Sequence, residues 1–154
     1  MILNLSLLLI IVFLLVILSW VWPPDSPWAP WWRTSDEKIR KALKLANVKS
    51  SDTVYDLGSG DGRTLIVSAK EFNARGVGIE IDPLRYYLSK LIIKLNRLSD
   101  RITIRKENFL ESDISKADVI FVYLVPNALK KLRPKLLKEL KPGTRIVSIQ
   151  YEID

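Results

Sequence analysis

The stretch VYDLGSGDGR, residues 54–63, places three glycines and two aspartates between an apolar run and a helical pattern. Thr53–Leu57 predicts a strand, and the apolar spacing from Gly62 to Phe72 predicts a helix. Glycines between them permit backbone angles barred to other residues and let main-chain atoms approach a ligand closely. The stretch therefore predicts a strand, a ligand-binding turn and a helix.

The rest of the chain repeats this alternation of short β-rich runs and helical runs. The other predicted strands are Gly76–Ile81, Arg101–Arg105, Asp118–Leu124 and Thr144–Ile153. Helices are predicted after Thr34 or Ser35 as N-cap, from Pro83 to Leu98 and from Asn127 to Leu140, with Pro134 starting a second piece of the last one. This order predicts an α/β fold, a Rossmann-like doubly wound and mostly parallel sheet with helices on both faces. Such sheets bind ligands at the carboxyl ends of their strands.

The acidic residues around the glycines indicate which ligand is bound. Glu80 ends the second predicted strand, about twenty residues after the turn, where a carboxylate can accept hydrogen bonds from both hydroxyls of a ribose. The spacing is G-x-G-x-G, without the Gly-Lys-Ser/Thr of a P-loop and different from the G-x-G-x-x-G of dinucleotide sites. Asp56 would repel a pyrophosphate but could bind the ammonium group of a methionine moiety. The pattern therefore favours S-adenosylmethionine.

Composition excludes several kinds of chemistry. The 154 residues contain no cysteine and no histidine, so disulfides, thiolate metal sites, cysteine nucleophiles and a histidine base are all excluded. No metal site is expected.

The formal net charge is +7, carried by residues after position 24. Basic residues of two predicted helices, at 90, 94 and 97 and at 130, 131, 133, 135 and 138, are interpreted first as solvated faces, with anionic lipid or acidic proteins as alternatives. Nucleic acid is not expected, because no basic motif interleaved with aromatic residues appears.

The N-terminal segment, residues 1–22, is almost wholly apolar. It is long enough for a transmembrane helix, which needs about 20 apolar residues. A cleavable signal peptide or a buried core helix is the alternative, but basic residues before the run and a small-x-small cleavage site are lacking. The segment is therefore predicted to be a single-pass anchor in the lipid bilayer. Basic residues that follow it place the domain in the cytoplasm by the positive-inside rule. The predicted organisation is a transmembrane helix at 1–22, a Pro/Trp-rich linker at 23–33 and a catalytic domain at 34–154.

Four segments together carry a family resemblance: VYDLGSGDGR, GVGIEIDP, ENFLESDISKADVIFVYLVP and LRPKLLKELKPGTRIVS. They resemble the class I, seven-β-strand S-adenosylmethionine-dependent methyltransferases, and more narrowly the archaeal protein-lysine methyltransferases and their membrane-anchored mitochondrial relatives. The resemblance implies cofactor contacts from the glycine turn, from Glu80 and from an Asn-Phe pair that flanks the adenine. These roles fall on Asp56, Gly58, Ser59, Gly60, Gly62, Glu80, Asn108 and Phe109.

The chain departs from that family pattern in two places. A Pro-Thr-Pro or Pro-Thr-Ser element usually precedes the first domain helix, whereas here Arg33 stands before Thr34. A β-hairpin usually follows the fifth strand, so the sheet is expected to lack that hairpin or the sequence to be truncated. The role of Thr34 in binding cofactor or substrate stays open.

The expected activity is methylation of protein lysines by S-adenosylmethionine. Methyl transfer from a sulfonium is an in-line displacement in which positioning supplies most of the acceleration. Substrate-site candidates are Trp31, Thr34, Tyr123 and Pro126, and no catalytic base can be named. Two alternatives are a methyltransferase of a small lipophilic substrate and a non-catalytic membrane scaffold that keeps a degenerate fold.

Overall fold

The computed structural model describes residues 2–21 and 33–153. The predicted linker, apart from Arg33, and the candidate Trp31 lie outside the described residues. The helices are α1 (Ile2–Val21), α2 (Asp36–Leu45), α3 (Arg63–Phe72), α4 (Pro83–Leu95) and α5 (Pro126–Glu139). The strands are β1 (Thr53–Leu57), β2 (Arg75–Ile79), β3 (Ile102–Arg105), β4 (Val119–Val122) and β5 (Arg145–Ser148).

The five strands form one sheet in the order β3-β2-β1-β4-β5. All four strand pairs are parallel, and Asp56 of β1 lies opposite Gly78 of β2 and Phe121 of β4. The predicted parallel sheet is confirmed. From β1 the chain adds β2 and β3 toward one edge of the sheet, and then β4 and β5 toward the other edge. The carboxyl ends of the neighbouring strands β1 and β4 therefore form the switch point at which such folds bind ligands.

Helices cover both faces of the sheet, as predicted. One face packs α2, α3 and α4 against alternate strand residues such as Val54 and Phe121. The other face packs α5 and the segment after β3 against Tyr55, Leu57 and Ile120. Successive residues of a strand point to opposite faces, so each buried strand serves both cores. The sheet is thus held rigidly beneath the loops at its carboxyl edge.

Local signals fix where the helices begin. Ser35 is the N-cap of α2, and its hydroxyl accepts a hydrogen bond from the Lys38 main chain at 3.4 Å. Asp82 caps α4 in the same way, accepting from the Arg85 main chain at 2.8 Å, and Pro83 follows at the first helical position. Of the two predicted N-caps for α2, the structure selects Ser35, and Thr34 lies just outside the helix.

Three sequence-based boundaries are corrected. Pro134 does not start a second helix, because α5 runs unbroken from Pro126 to Glu139. Its ring lies on the exposed side, and buried Leu132 and Leu136 on either side hold the helix on the sheet. The fifth strand is only Arg145–Ser148, since Gln150 adopts a positive φ of 75° that ends extended structure. Strand β2 ends at Ile79, so Glu80 follows the strand.

Helix α1 covers most of the predicted membrane anchor. The large apolar side chains described in it, from Leu5 to Ile17, are exposed. Among the residues described down to their side chains, no helix is long and apolar enough to cross a membrane. The structure therefore gives no support to the predicted transmembrane helix at 1–22.

Candidate active site

The glycine turn joins the carboxyl end of β1 to α3. Gly58, Gly60 and Gly62 have φ values of 88°, 53° and 77°, in the left-handed region that favours glycine. The main-chain N–H groups of Gly58 and Ser59 both donate to the Ile79 carbonyl, at 2.9 and 3.0 Å. Gly62 closes the turn by donating to the Ser59 carbonyl at 2.8 Å. The turn therefore folds across the end of β2 and leaves Gly58 exposed at the switch point, while Gly60 and Gly62 are buried.

Glu80 links this turn to α4. Its carboxylate accepts a hydrogen bond from the Gly60 main chain at 2.8 Å and one from the Asp82 main chain at 2.9 Å. The side chain is buried, and burial raises its pKa, while the two main-chain donors and the nearby Arg85 lower it. The predicted site residue thus lies at the turn, where it also braces two elements against each other.

Asp56 lies at the carboxyl end of β1 and is only 5% exposed. Burial raises the pKa of its carboxyl to about 7, the Thr64 hydroxyl opposes this rise, and the negative charges of Glu80 and Asp61 add to it. A buried carboxylate with acidic neighbours is stabilised by a cation, because the attraction offsets both desolvation and repulsion. Asp56 therefore offers a site for a positively charged group.

Ser59 is buried beneath the turn rather than beside its open face. A Cβ added at Gly78 would lie 2.6 Å from Ser59 Oγ, so this hydroxyl points at β2. Within the described part of the chain, Ser59 Oγ has no hydrogen-bond partner. The Ser59 side chain therefore packs against β2, and its main-chain N–H and carbonyl are hydrogen-bonded to Ile79 and Gly62.

The Asn-Phe pair has mainly structural contacts. Asn108 accepts a hydrogen bond from the Leu110 main chain and donates one to Glu111, both at 3.0 Å. Phe109 is buried in the second core. Both follow β3, whose Arg105 carbonyl accepts the Glu80 N–H at 3.0 Å, so the segment begins next to the site. Whether the pair contacts adenine stays a prediction.

The substrate-site candidates lie on either side of the turn. Tyr123 follows β4 and donates its hydroxyl hydrogen to Gln150 Oε1 at 2.8 Å. Next to it, Leu124 would contact a Cβ added at Gly58 at 3.5 Å, so this segment packs on the glycine turn. Pro126 is exposed at the start of α5. Thr34 is half-buried beside Arg33.

An ionic network that was not predicted from the sequence joins the segment before α2 to the glycine turn. Asp61 lies 3.3 Å from Arg33 Nε and 3.9 Å from Arg63 Nε. Arg63 also binds Asp36, at 2.9 Å. In the sequence, the second aspartate of the DLGSGDG motif, Asp61, could have indicated such an ionic contact. Arg33, which stands where the resembled family pattern has a proline, thus forms an ion pair between the entering chain and the turn.

These residues fit the predicted cofactor. The turn has positive φ at three glycines and leaves Gly58 exposed, Asp56 offers a buried carboxylate to an ammonium group, and Glu80 presents oxygen acceptors at the same turn. Acidic groups at both places disfavour a pyrophosphate and favour a cationic nucleoside.

Comparison with known proteins agrees with this chemistry. The model of the ANTKMT methyltransferase domain matches residues 56–154, well over half of the chain. The chain belongs to the ANTKMT methyltransferase family. A protein-lysine N-methyltransferase of Saccharolobus islandicus is 45% identical over 131 residues, which cover 84% of this chain and 80% of that enzyme. A Xenopus laevis enzyme, named as a lysine N-methyltransferase of an ATP synthase component, is 24% identical, over 79% of this chain and 53% of that enzyme.

Solved structures support the same assignment. An RNA methyltransferase of Salinibacter ruber in complex with S-adenosyl-L-homocysteine superposes with a TM-score of 0.78 and 41% identity, covering 79% of this chain and 80% of that one. This member of the ANTKMT methyltransferase family is therefore an S-adenosylmethionine-dependent methyltransferase, and its cofactor is S-adenosylmethionine.

Proposed function

We propose that this enzyme is a protein-lysine N-methyltransferase. The observation that carries the proposal is the 45% identity to the Saccharolobus islandicus protein-lysine N-methyltransferase over most of both chains. The Xenopus laevis relative also methylates a lysine of a protein, according to its name.

In this proposal the two buried carboxylates bind two adjoining parts of the cofactor, its methionyl group and its ribose. When bound, S-adenosylmethionine supplies an electrophilic methyl group on a sulfonium. Asp56 would bind the ammonium group of the methionyl part, and Glu80 the ribose hydroxyls. The main chain of the glycine turn approaches closely, because no Cβ stands between it and the ligand.

The acceptor side of the site is the segment after β4. Tyr123 lies there with its hydroxyl hydrogen-bonded to Gln150, and Leu124 packs on Gly58. The Tyr123 oxygen retains a lone pair that can accept a hydrogen bond from an incoming amine. The amine must lose its proton before it attacks, and we assign this proton to bulk water.

The test is to supply the full chain with isotopically labelled S-adenosylmethionine and a mixture of proteins, RNA and lipids from the source cells. We expect label on lysine side chains, identified as methyl-lysine by mass spectrometry, and none with an Asp56→Ala/Glu80→Ala variant. Label confined to lipid would support the lipophilic-substrate alternative and reject the lysine assignment.

RNA is the second candidate acceptor. It is favoured by the description of the Salinibacter ruber relative as an RNA methyltransferase and by the net charge of +7 of this chain. We rank it second because the other relative of similar identity is a protein-lysine enzyme and covers more of this chain. Label that appears in RNA and resists proteinase would establish this candidate instead.

We also propose that residues 1–22 anchor the enzyme in a membrane with its domain in the cytoplasm. The proposal is supported by the apolar sequence of this segment and by the basic residues that follow. Extraction of cell membranes with alkaline carbonate provides the test. We expect the protein to stay in the pellet, and its release into the supernatant would refute an integral anchor.

A further inference from the structure

Helix α4 has apolar residues on two opposite faces. One face is buried against the first core and contains Ile93 and Ser89. The other face is exposed and consists of Leu84, Tyr87, Leu88, Leu91 and Leu95, which we call the α4 stripe. The exposed fractions of its leucines range from 42% at Leu88 to 74% at Leu95. Only one of the two apolar faces of α4 therefore packs against the core of the domain.

The stripe is continuous along the helix. Its members are spaced by three or four residues, so they align on one side of an α-helix. At a rise of about 1.5 Å per residue, the stripe from Leu84 to Leu95 is roughly 17 Å long. The stripe lies on the side of the helix opposite the buried residues. Ser89 and Ile93 are about half a turn around the helix axis from the members of the stripe. A stripe of this length in the described structure is an unpartnered surface.

The charged residues within the helix sequence itself are all positive. Lys90, Lys94 and Arg97 are exposed along one flank, and no acidic residue occurs from Pro83 to Ser99. Lys90 Nζ lies 3.3 Å from the Tyr86 hydroxyl, at the border between the exposed and buried faces. Lysines in this position extend apolar stems along a hydrophobic surface and place their charges at its edge.

We propose that the α4 stripe lies on the surface of an anionic lipid bilayer. A leucine-rich face bordered by Lys and Arg, with a tyrosine among the leucines, is the pattern of helices that lie in the plane of the membrane interface. The uniform positive flank complements anionic headgroups. This surface is distinct from residues 1–22, and it would orient the domain because α4 is part of the folded core.

A second copy of the chain fits the stripe less well. Paired helices of a symmetric dimer bring the same flanks close together, and helix pairs in water usually place opposite charges there. Here Lys90, Lys94 and Arg97 would meet their own copies or one another. Like charges so placed are destabilising, whereas an anionic membrane attracts all three.

The absence of cysteine from the sequence allows a position-specific test in the full chain. Leu91→Cys places one environment-sensitive fluorophore within the stripe. Leu137→Cys is the matched control, because Leu137 is a leucine of α5, 72% exposed, with the basic residues Arg133 and Lys138 nearby in sequence. Both labelled proteins are mixed with vesicles of phosphatidylcholine alone or with an equal part of phosphatidylglycerol. Binding of S-adenosylhomocysteine confirms that each variant is folded.

We expect anionic vesicles to shift the emission of the label at position 91 to shorter wavelength and to shield it from an aqueous quencher. The label at position 137 should stay accessible, even where residues 1–22 bind the same vesicles. Adding Lys90→Gln and Lys94→Gln should weaken the response of the label at 91 by about fivefold for each cation removed.

Three results would overturn the proposal. The label at 91 could stay accessible with anionic vesicles, or both labels could respond equally. The label at 91 could also become shielded without lipid as protein concentration rises, which would assign the stripe to a second copy of the chain.

Discussion

Gly60 donates its main-chain N–H to Glu80 Oε2 at 2.8 Å, so the residue proposed to bind ribose also fixes the turn that approaches the ligand. The other oxygen of the same carboxylate accepts from Asp82, the N-cap of α4. The proposed ribose contact and the geometry of the glycine turn and of the α4 N-terminus therefore involve one buried side chain.

Glu80→Gln should weaken binding of S-adenosylhomocysteine by about tenfold to a hundredfold, since hydrogen bonds to a charged group contribute about 1.5–3 kcal/mol. The new amide N–H₂ group must face one of the two main-chain donors, which it cannot satisfy. Isothermal titration calorimetry measures the loss. Glu71→Gln alters another carboxylate that accepts a hydrogen bond, at an exposed position, and should leave affinity unchanged. Equal affinities for Glu80→Gln and the unaltered enzyme would refute the ribose role.

Cofactor affinity should depend on the ionisation of Asp56. Its pKa of about 7 means that the carboxyl is largely protonated at pH 6 and ionised at pH 8. Only the ionised form attracts an ammonium group strongly, so affinity for S-adenosylhomocysteine should fall about tenfold from pH 8 to pH 6. Titrations at several pH values test this expectation. Asp56→Asn should bind weakly with a flat profile over this range, and an equally steep profile in that variant would assign the titration to another group.

The same carboxyl should destabilise the free enzyme as pH rises. The folded state raises its pKa from 3.8 to about 7, so the folded state binds more protons than the unfolded state between these values. The free energy of unfolding therefore decreases with increasing pH across that window, by roughly 4 kcal/mol from this group. Denaturant unfolding of the enzyme and of Asp56→Asn at pH 4.5 and pH 7.5 measures the difference. A stability difference that is independent of pH would contradict the buried location.

Gly62→Ala and Gly78→Ala should both destabilise the enzyme, but for different reasons. At Gly62 the φ of 77° is unfavourable for alanine, although the new Cβ would have ordinary contacts at 3.5 Å, so a cost of about 1–2 kcal/mol is expected. At Gly78 the Cβ would lie 2.5 Å from Ile104 Cδ1 and 2.6 Å from Ser59 Oγ. Displacing Ser59 should lower cofactor affinity as well as the melting temperature. Thermal unfolding with and without S-adenosylhomocysteine separates the two effects, and an unaltered ligand-induced shift in Gly78→Ala would contradict the coupling through Ser59.

Arg33→Ala should change stability by less than about 1 kcal/mol, because the Arg33 side chain is 60% exposed and exposed ion pairs contribute little. Its effect should appear instead in the Michaelis constants, since the pair with Asp61 positions the chain that enters the domain. Lys41→Ala removes an exposed ion pair with Glu37 on α2 and serves as the control. If Arg33→Ala and Lys41→Ala have the same Michaelis constants, Arg33 does not contribute to the active site.

The glycine turn and Glu80 could be predicted because their signals are local. Glycine permits the positive φ that a tight turn between strand and helix needs, and the spacing from Gly60 to Glu80 follows from one helix between two parallel strands. The parallel sheet was predicted for the same reason, since alternating strands and helices leave few other arrangements.

The contacts of Asp61 and the stripe on α4 could not be predicted in the same way. Arg33 lies far from Asp61 in sequence, and only the folded chain brings them together. Helix α4 has apolar residues on two faces, so its sequence does not decide which face the sheet takes. Pro134 was misinterpreted because the packing of Leu132 and Leu136 outweighs the local preference of proline.

Strand β5 pairs with β4 along one side, and in the described part of the chain no strand lies along the other. Unpaired main-chain groups on such a border can template the addition of a foreign strand, which is how many β-rich proteins aggregate. Here the border is only four residues long and begins with Arg145, whose guanidinium binds Asp52 at 2.8 Å. Shortness and a fixed charge should therefore disfavour intermolecular strand pairing at this edge of the sheet.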